Sequence, residues 1–191
     1  MTNVMSSFEY LSVLVSIIVG LAITHLLSAT ARLIQLRGKV RPYATTFCWM
    51  TLLFLVNIQV WWVAFDRKDS TEWAFHGFLL YLLIPIVVFL LSYLVLPQLD
   101  DGDGVDLRAN FDGNRRWFFG LMTALPVISL VEEGVRDGRI ALDFDAAARV
   151  IFLLAALVAG RIGNPRFHLW NAATALIFFC VYIATLFTQL R

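Results

Sequence analysis

An all-α integral membrane protein, folded as one bundle of six transmembrane helices, is the fold class this sequence predicts. Three observations predict it. The chain is 60% hydrophobic and only 15% charged, whereas a soluble domain carries about 25% charged residues. The charges are not spread evenly but fall between long apolar runs, which is the membrane pattern. Tryptophans gather near the ends of those runs, where an indole keeps its apolar face in lipid and its N–H in the headgroups. With 191 residues, one polytopic domain uses the whole chain.

Each helix must satisfy its own backbone in lipid, and about 20 mainly apolar residues cross the hydrocarbon. On that rule six spans are predicted: 8–33, 43–65, 73–97, 115–135, 145–162 and 168–190. Residues 1–7, MTNVMSS, lack the positive start of a secretory signal, so the first span is expected to persist as a helix. It places Ser12, Ser16, Gly20, Thr24 and Ser28 at four-residue intervals. Such a ridge of small residues lets another helix approach closely, or lines a polar path. Glu9 lies at its outer end, and His25 lies beside Ser28 toward the inner end.

The second span contains Asn57 and Gln59, which a helix turns to opposite faces, about 200° apart. Amides inside a membrane act as interhelical glue, so two faces imply two neighbours and a central position. Pro85 and Pro126 interrupt the third and fourth spans and each frees a carbonyl one turn earlier. Between those spans lies the longest expected loop, from Pro97 to Asn114. Its Asp100, Asp101, Asp103 and Asp106 offer oxygen ligands for a hard cation, although Val105 interrupts an EF-hand pattern and no glutamate closes it. A solvated acidic turn is the plainer reading.

The fifth span is the shortest, apolar only from Val150 to Gly160, and Arg149 and Arg161 are expected to snorkel from its ends to the interfaces. Glu132, Glu133, Asp143 and Asp145 form an acidic rim around Arg136 and Arg139. In the sixth span Asn171, Thr174, Phe178, Tyr182, Thr185 and Gln189 share an arc of about 100°, with His168 at its inner edge. That stripe faces either another helix or a wet cavity. Cys48 and Cys180 both fall inside apolar spans and read as small buried hydrophobes.

Lys and Arg in the connections predict orientation. With the N-terminus outside, the inner side carries Arg32, Arg37, Lys39, Arg41, Arg108, Arg115, Arg116, Arg161 and Arg166. The outer side carries Arg67, Lys68, Arg136, Arg139, Arg149 and Arg191, nine against six. Both termini are therefore expected outside. Small size and the lack of organellar targeting features point to a bacterial inner membrane.

No His-Glu-x-x-His, Gly-x-Ser-x-Gly or phosphate loop occurs, so no enzymatic role and no cofactor are predicted. A net charge of +1 gives no electrostatic footprint for nucleic acid. The leading reading is an oligomeric channel or transporter for a small ion or solute, with polar stripes on the first and sixth helices and His25 as a proton-responsive group. A second is a non-catalytic membrane subunit or sensor, in which Asn57, Gln59 and the small-residue ridge bind a partner. A minor third is a haem-binding redox protein through His25 and His168, whose unequal depths fit bis-histidine ligation poorly. The expected partners are the lipid bilayer and a second copy or another membrane protein.

Overall fold

In the computed structural model, residues 7–65, 75–97, 104–139 and 143–186 are described, excepting a few side chains near the helix ends. Among them six α-helices hold nearly all the secondary structure: α1 Ser7–Gln35, α2 Ala44–Phe65, α3 Phe75–Leu94, α4 Leu107–Asp137, α5 Phe144–Arg161 and α6 Pro165–Leu186. Five are long and apolar enough to cross a membrane. The sixth, α5, is not among them, since Asp145, Arg149 and Arg161 punctuate its 18 residues.

α1 meets the rest of the chain through Val15, Val19, Ala22, Leu26, Ala29 and Leu33, all buried. Alternating steps of four and three keep one stripe facing the neighbours. α2 is the hub, packing against α1, α3, α4 and α6, while α5 lies along α4. Thr45, Thr46, Trp49 and Leu53 of α2 are buried at its contacts. Trp49 stands edge-on to Phe118 and Phe119 of α4, with ring centroids 5.2 and 5.7 Å away. Edge-to-face contact sets the electropositive ring edge against an electronegative face, which orients the helices as well as burying area.

α4 starts well before the predicted 115, so the expected loop is shorter. The reason is local. Asp106 accepts hydrogen bonds from the Arg108 and Ala109 amides, both at 3.0 Å, which satisfies two of the donors a helix start leaves open. Leu107 and Phe111, one turn apart, are both buried. Asn110 and Asn114 reach back to the Leu94 carbonyl at the end of α3, at 3.5 Å. Two two-residue strands, β1 Val40–Arg41 and β2 Val105–Asp106, pair in parallel. They tie the α1–α2 connection to the α3–α4 connection at one end of the bundle. That end carries Arg32, Arg37, Lys39, Arg115, Arg116 and Arg161 and is called the basic end below. The other end holds Glu132, Glu133 and Asp145 and is called the acidic end.

The outer face is apolar on every helix: Ile17, Leu27, Ile58, Leu90, Val131, Ile151, Leu154 and Ile177 are all exposed. Cys180 is exposed as well, and Cys48 is half-buried. The expectation that both cysteines are buried therefore fails at Cys180, which sits on the outward face of α6 rather than against a neighbour.

Candidate functional site

At the acidic end, three helix segments bring charges together below the surface. Gly138, at φ 67°, closes α4 in the left-handed conformation that glycine adopts without strain. Asp143 then caps α5, accepting from the Ala146 amide at 3.0 Å. The reversal sets the last turns of α4 beside the first turns of α5. Glu132 and Glu133 are only 7% and 8% exposed.

Arg149 is the centre of this cluster. One guanidinium nitrogen donates to Glu133 Oε2 at 2.5 Å, and the other donates to Asp145 Oδ2. The Tyr182 hydroxyl, from α6, donates to the second oxygen of Asp145 at 2.7 Å. Arg136 pairs with the exposed Asp137 at 2.8 Å and more loosely with Glu132 at 3.4 Å. Arg149 is thus a bridge and not the snorkelling residue expected. Two carboxylates within reach offer more than a longer route to the interface, because a half-buried guanidinium is stabilised by every charge-assisted bond it makes.

A cavity runs inward from these charges between α2, α3, α4, α5 and α6. Its charged outer chamber is about 260 Å³ and its apolar inner chamber about 250 Å³. Gln59, Ser129, Asp145, Arg149 and Tyr182 line both chambers, so the two adjoin at this belt. In the outer chamber three carboxylates (Glu132, Glu133, Asp145) face two guanidinium groups (Arg136, Arg149), which leaves the lining net negative. Leu53, Val88, Met122, Phe152 and Phe179 wall the inner chamber. Both prolines border the cavity, Pro85 outside and Pro126 inside.

The residues singled out from sequence divide by location. On α6, Tyr182 enters both chambers and Phe178 borders the inner one. Asn171 lines a separate void of about 30 Å³ beneath Trp49 and Phe119. Thr174 is exposed. Thr185 is also exposed, its hydroxyl turned back onto the Val181 and Tyr182 carbonyls at 3.0 Å. Gln189 lies outside the described residues. The polar arc of α6 therefore does not act as one lining, because the cavity takes only part of it.

On α1, Ser16, Gly20, Thr24 and Ser28 are exposed and Ser12 is half-buried. The ridge does not form the packing seam of this chain. The Glu9 side chain lies outside what is described. His25 faces α3 and stacks on Tyr93, ring centroids 3.8 Å apart and planes 13° apart. His168 is buried among Phe111, Phe119 and Phe167. Its Nε2 donates to the Ile162 carbonyl at 2.7 Å, a carbonyl being able only to accept. The two imidazoles thus have different aromatic partners on different helices.

Asn57 is fully buried and donates to the Leu53 carbonyl at 2.8 Å and to Ser92 Oγ of α3 at 3.3 Å. Gln59, on the opposite face, lines the cavity. Of the two amides of α2, Asn57 thus bonds a neighbouring helix and Gln59 borders the cavity. Of the acidic loop, Asp100, Asp101 and Asp103 lie outside the described residues. Asp106 is engaged as the α4 cap and pairs with Arg41 at 3.6 Å. The amide bonds, that of Ala109 foremost, together with Arg41, hold its carboxyl below the usual carboxylate range. Among the described residues no three His, Cys, Asp or Glu side chains gather to hold a metal ion.

Sequence reasoning missed Arg149 as an organiser. The available signal was its four-residue offset from Asp145, which sets the two on one helix face. Comparison with family models, curated proteins and solved structures gives no match for this chain.

Proposed function

We propose that this is a multi-pass membrane protein that binds and translocates a small solute with a cationic group and an apolar body. The observation that carries the reading is that a net-negative chamber adjoins an apolar one across the belt of Gln59, Asp145, Arg149 and Tyr182. A cation entering the outer chamber meets carboxylates already fixed by hydrogen bonds, so little reorganisation is needed. Its apolar part exchanges water for Leu53, Val88 and Phe152. Together the chambers fall in the lower half of the range for small-molecule sites, about 300–1,000 Å³, which suits a compact amine and not a large drug-like cation.

The exchange of partners around Arg149 supplies the coupling. An ammonium group that pairs with Asp145 competes with Arg149 for the same carboxylate and loosens the tie between α4, α5 and α6. Solute binding and helix rearrangement are linked through that one side chain. Five helices of spanning length and the apolar outer face support the placement in lipid. The placement of both termini outside is part of the same proposal and rests on the distribution of Lys and Arg, and the assignment to a bacterial inner membrane rests on small size and the lack of organellar targeting features.

Uptake into proteoliposomes tests it. A series of short alkyl- and arylalkyl-ammonium ions should enter faster than into empty vesicles, and carboxylate isosteres should not. Asp145→Asn should abolish the difference. Equal leak of cation and anion, with and without protein, would refute the reading.

A second reading is favoured by a separate observation. The small-residue ridge of α1 faces away from its own bundle, so any helix that packs on it belongs to another chain. A second copy of this protein suits the ridge, since identical ridges cross closely without side-chain clashes. Cross-linking through Gly20→Cys in membranes should trap a homodimer if this holds, and only monomer would count against it.

A further inference from the structure

We infer that the groove between α4 and α5 at the basic end is a binding site for an anionic glycerophospholipid. The inference rests on the membrane placement proposed above but not on the solute cavity. The groove encloses about 480 Å³ and is lined by Arg115, Arg116 and Arg161 with Phe119 and Leu157. Gly120 and Gly160 leave it open, and a side chain at Gly120 would meet nothing within 4 Å.

Three features of the arginines point to an absent anion. At the acidic end Arg136 and Arg149 are each paired with carboxylates. Arg115, Arg116 and Arg161, by contrast, form no ion pair among the described residues. Arg115 Nε is buried and has no hydrogen-bond partner, which is costly for a charged donor. Arg161 reaches only the carbonyl of Leu157, at 3.3 Å. All three arginines line one groove, and an anion there would satisfy the buried Arg115 Nε and gain from two further positive charges.

Depth selects a lipid as that anion. From Arg115 to Glu133 α4 rises about 27 Å, close to the roughly 30 Å of a hydrocarbon core. The two charged zones thus fall at opposite hydrocarbon boundaries, and Arg115 and Arg116 lie at the level of phosphates. Trp117 and Trp170, both 73% exposed at this end, mark the same level. The groove continues past the arginines along Phe119, Thr123, Ala156 and Leu157, which offers an acyl chain an apolar wall. A free phosphate ion would have no use for that wall. The phosphate is accepted by the guanidinium fork geometry, and one acyl chain lies over Gly120.

The experiment is lipid retention. Protein extracted in mild detergent is incubated with equal phosphatidylglycerol and phosphatidylcholine, and bound lipid is counted by native mass spectrometry. Phosphatidylglycerol should be retained in preference. In Arg116→Gln/Arg161→Gln the preference should fall roughly tenfold or more, given the attraction of each basic side chain for anionic lipid. Gly120→Leu, which keeps every charge but fills the groove, should lose the bound lipid. Arg166→Gln, at the same end but outside the groove, should retain it. All variants should match wild type in helicity and elution, so that misfolding is recognised. Equal retention of the two lipids, or a preference unchanged in both the charge and the filling variants, would overturn the proposal. Displacement of the lipid by millimolar inorganic phosphate would assign the groove to free phosphate and overturn it as well. Recovery of the protein in the soluble fraction without detergent would instead refute the membrane placement.

Discussion

Arg149 holds two carboxylates from two helices, and its removal leaves Glu133 and Asp145 without the cation that both accept from. Arg149→Met is therefore expected to cost about 3–5 kcal/mol, the range for breaking a buried ion pair on one side. Tyr182→Phe removes a single bond to a charged acceptor and should cost about 1.5–3 kcal/mol. Denaturant unfolding in detergent, followed by circular dichroism, ranks the two; equal effects would show that Arg149 is no organiser. Asp106 gives a pH signature. Its folded-state pKa is depressed by the Ala109 and Arg108 amides and by Arg41. Its contribution is thus complete above the ordinary carboxylate pKa and fades as pH falls through the lowered value. Asp106→Asn retains a capping acceptor but does not titrate. The difference in thermal midpoint between wild type and Asp106→Asn should be constant near neutrality and shrink in acid. A difference independent of pH would contradict the capping role. At this scale the sequence was only partly legible. Helical periodicity told which face Asn57 occupies, but a face does not name a partner: Ser92 becomes one only through the packing of α3 on α2, and Glu133 meets Arg149 only because α5 lies along α4.

Among the elements, α2 organises the bundle because it presents a different chemistry on each side. Asn57 bonds Ser92 of α3, Trp49 meets the aromatic pair of α4, and Gln59 faces the cavity. A double-mutant cycle of Asn57→Ala and Ser92→Ala should return a coupling of about 0.6 kcal/mol, the usual size for interhelical hydrogen bonds in membranes. Additive effects would mean that Asn57 acts only on its own helix. The helix positions themselves were readable, since the span rule depends on length and apolarity alone. The start of α4 was not. Leu107, Phe111, Asn110 and Asn114 look like loop residues when counted for hydropathy. Their role as a buried helical face and a clasp on the Leu94 carbonyl emerges only once α3 ends beside them. α5 shows the reverse case: its charges read as a weak span, whereas Arg149 ties it to Glu133 of α4 and Asp145 ties it to Tyr182 of α6.

For the molecule as a whole, an apolar exterior surrounds an interior that is charged at one end, and the cavity joins that charge to an apolar centre. The opening stripe of α1 and the polar arc of α6 suggested a route from sequence. The cavity instead lies between α2 and α3–α6, and of the described residues on those stripes Tyr182 and Phe178 line it. Filling the inner chamber with Ala175→Phe should weaken binding of solutes with an apolar body by at least tenfold while sparing a bare ammonium ion. Ligand-induced shifts of the thermal midpoint would measure both, and equal losses would point to general misfolding. The central claim is that the cavity admits water and prefers cations. Its most direct test places one cysteine at Ser129, in a background with Cys48 and Cys180 replaced, and compares cationic and anionic methanethiosulfonate reagents of equal size. The account predicts modification several-fold faster by the cationic reagent, slowed by a bound alkylammonium ion. Equal rates, or no reaction with either reagent, would contradict it.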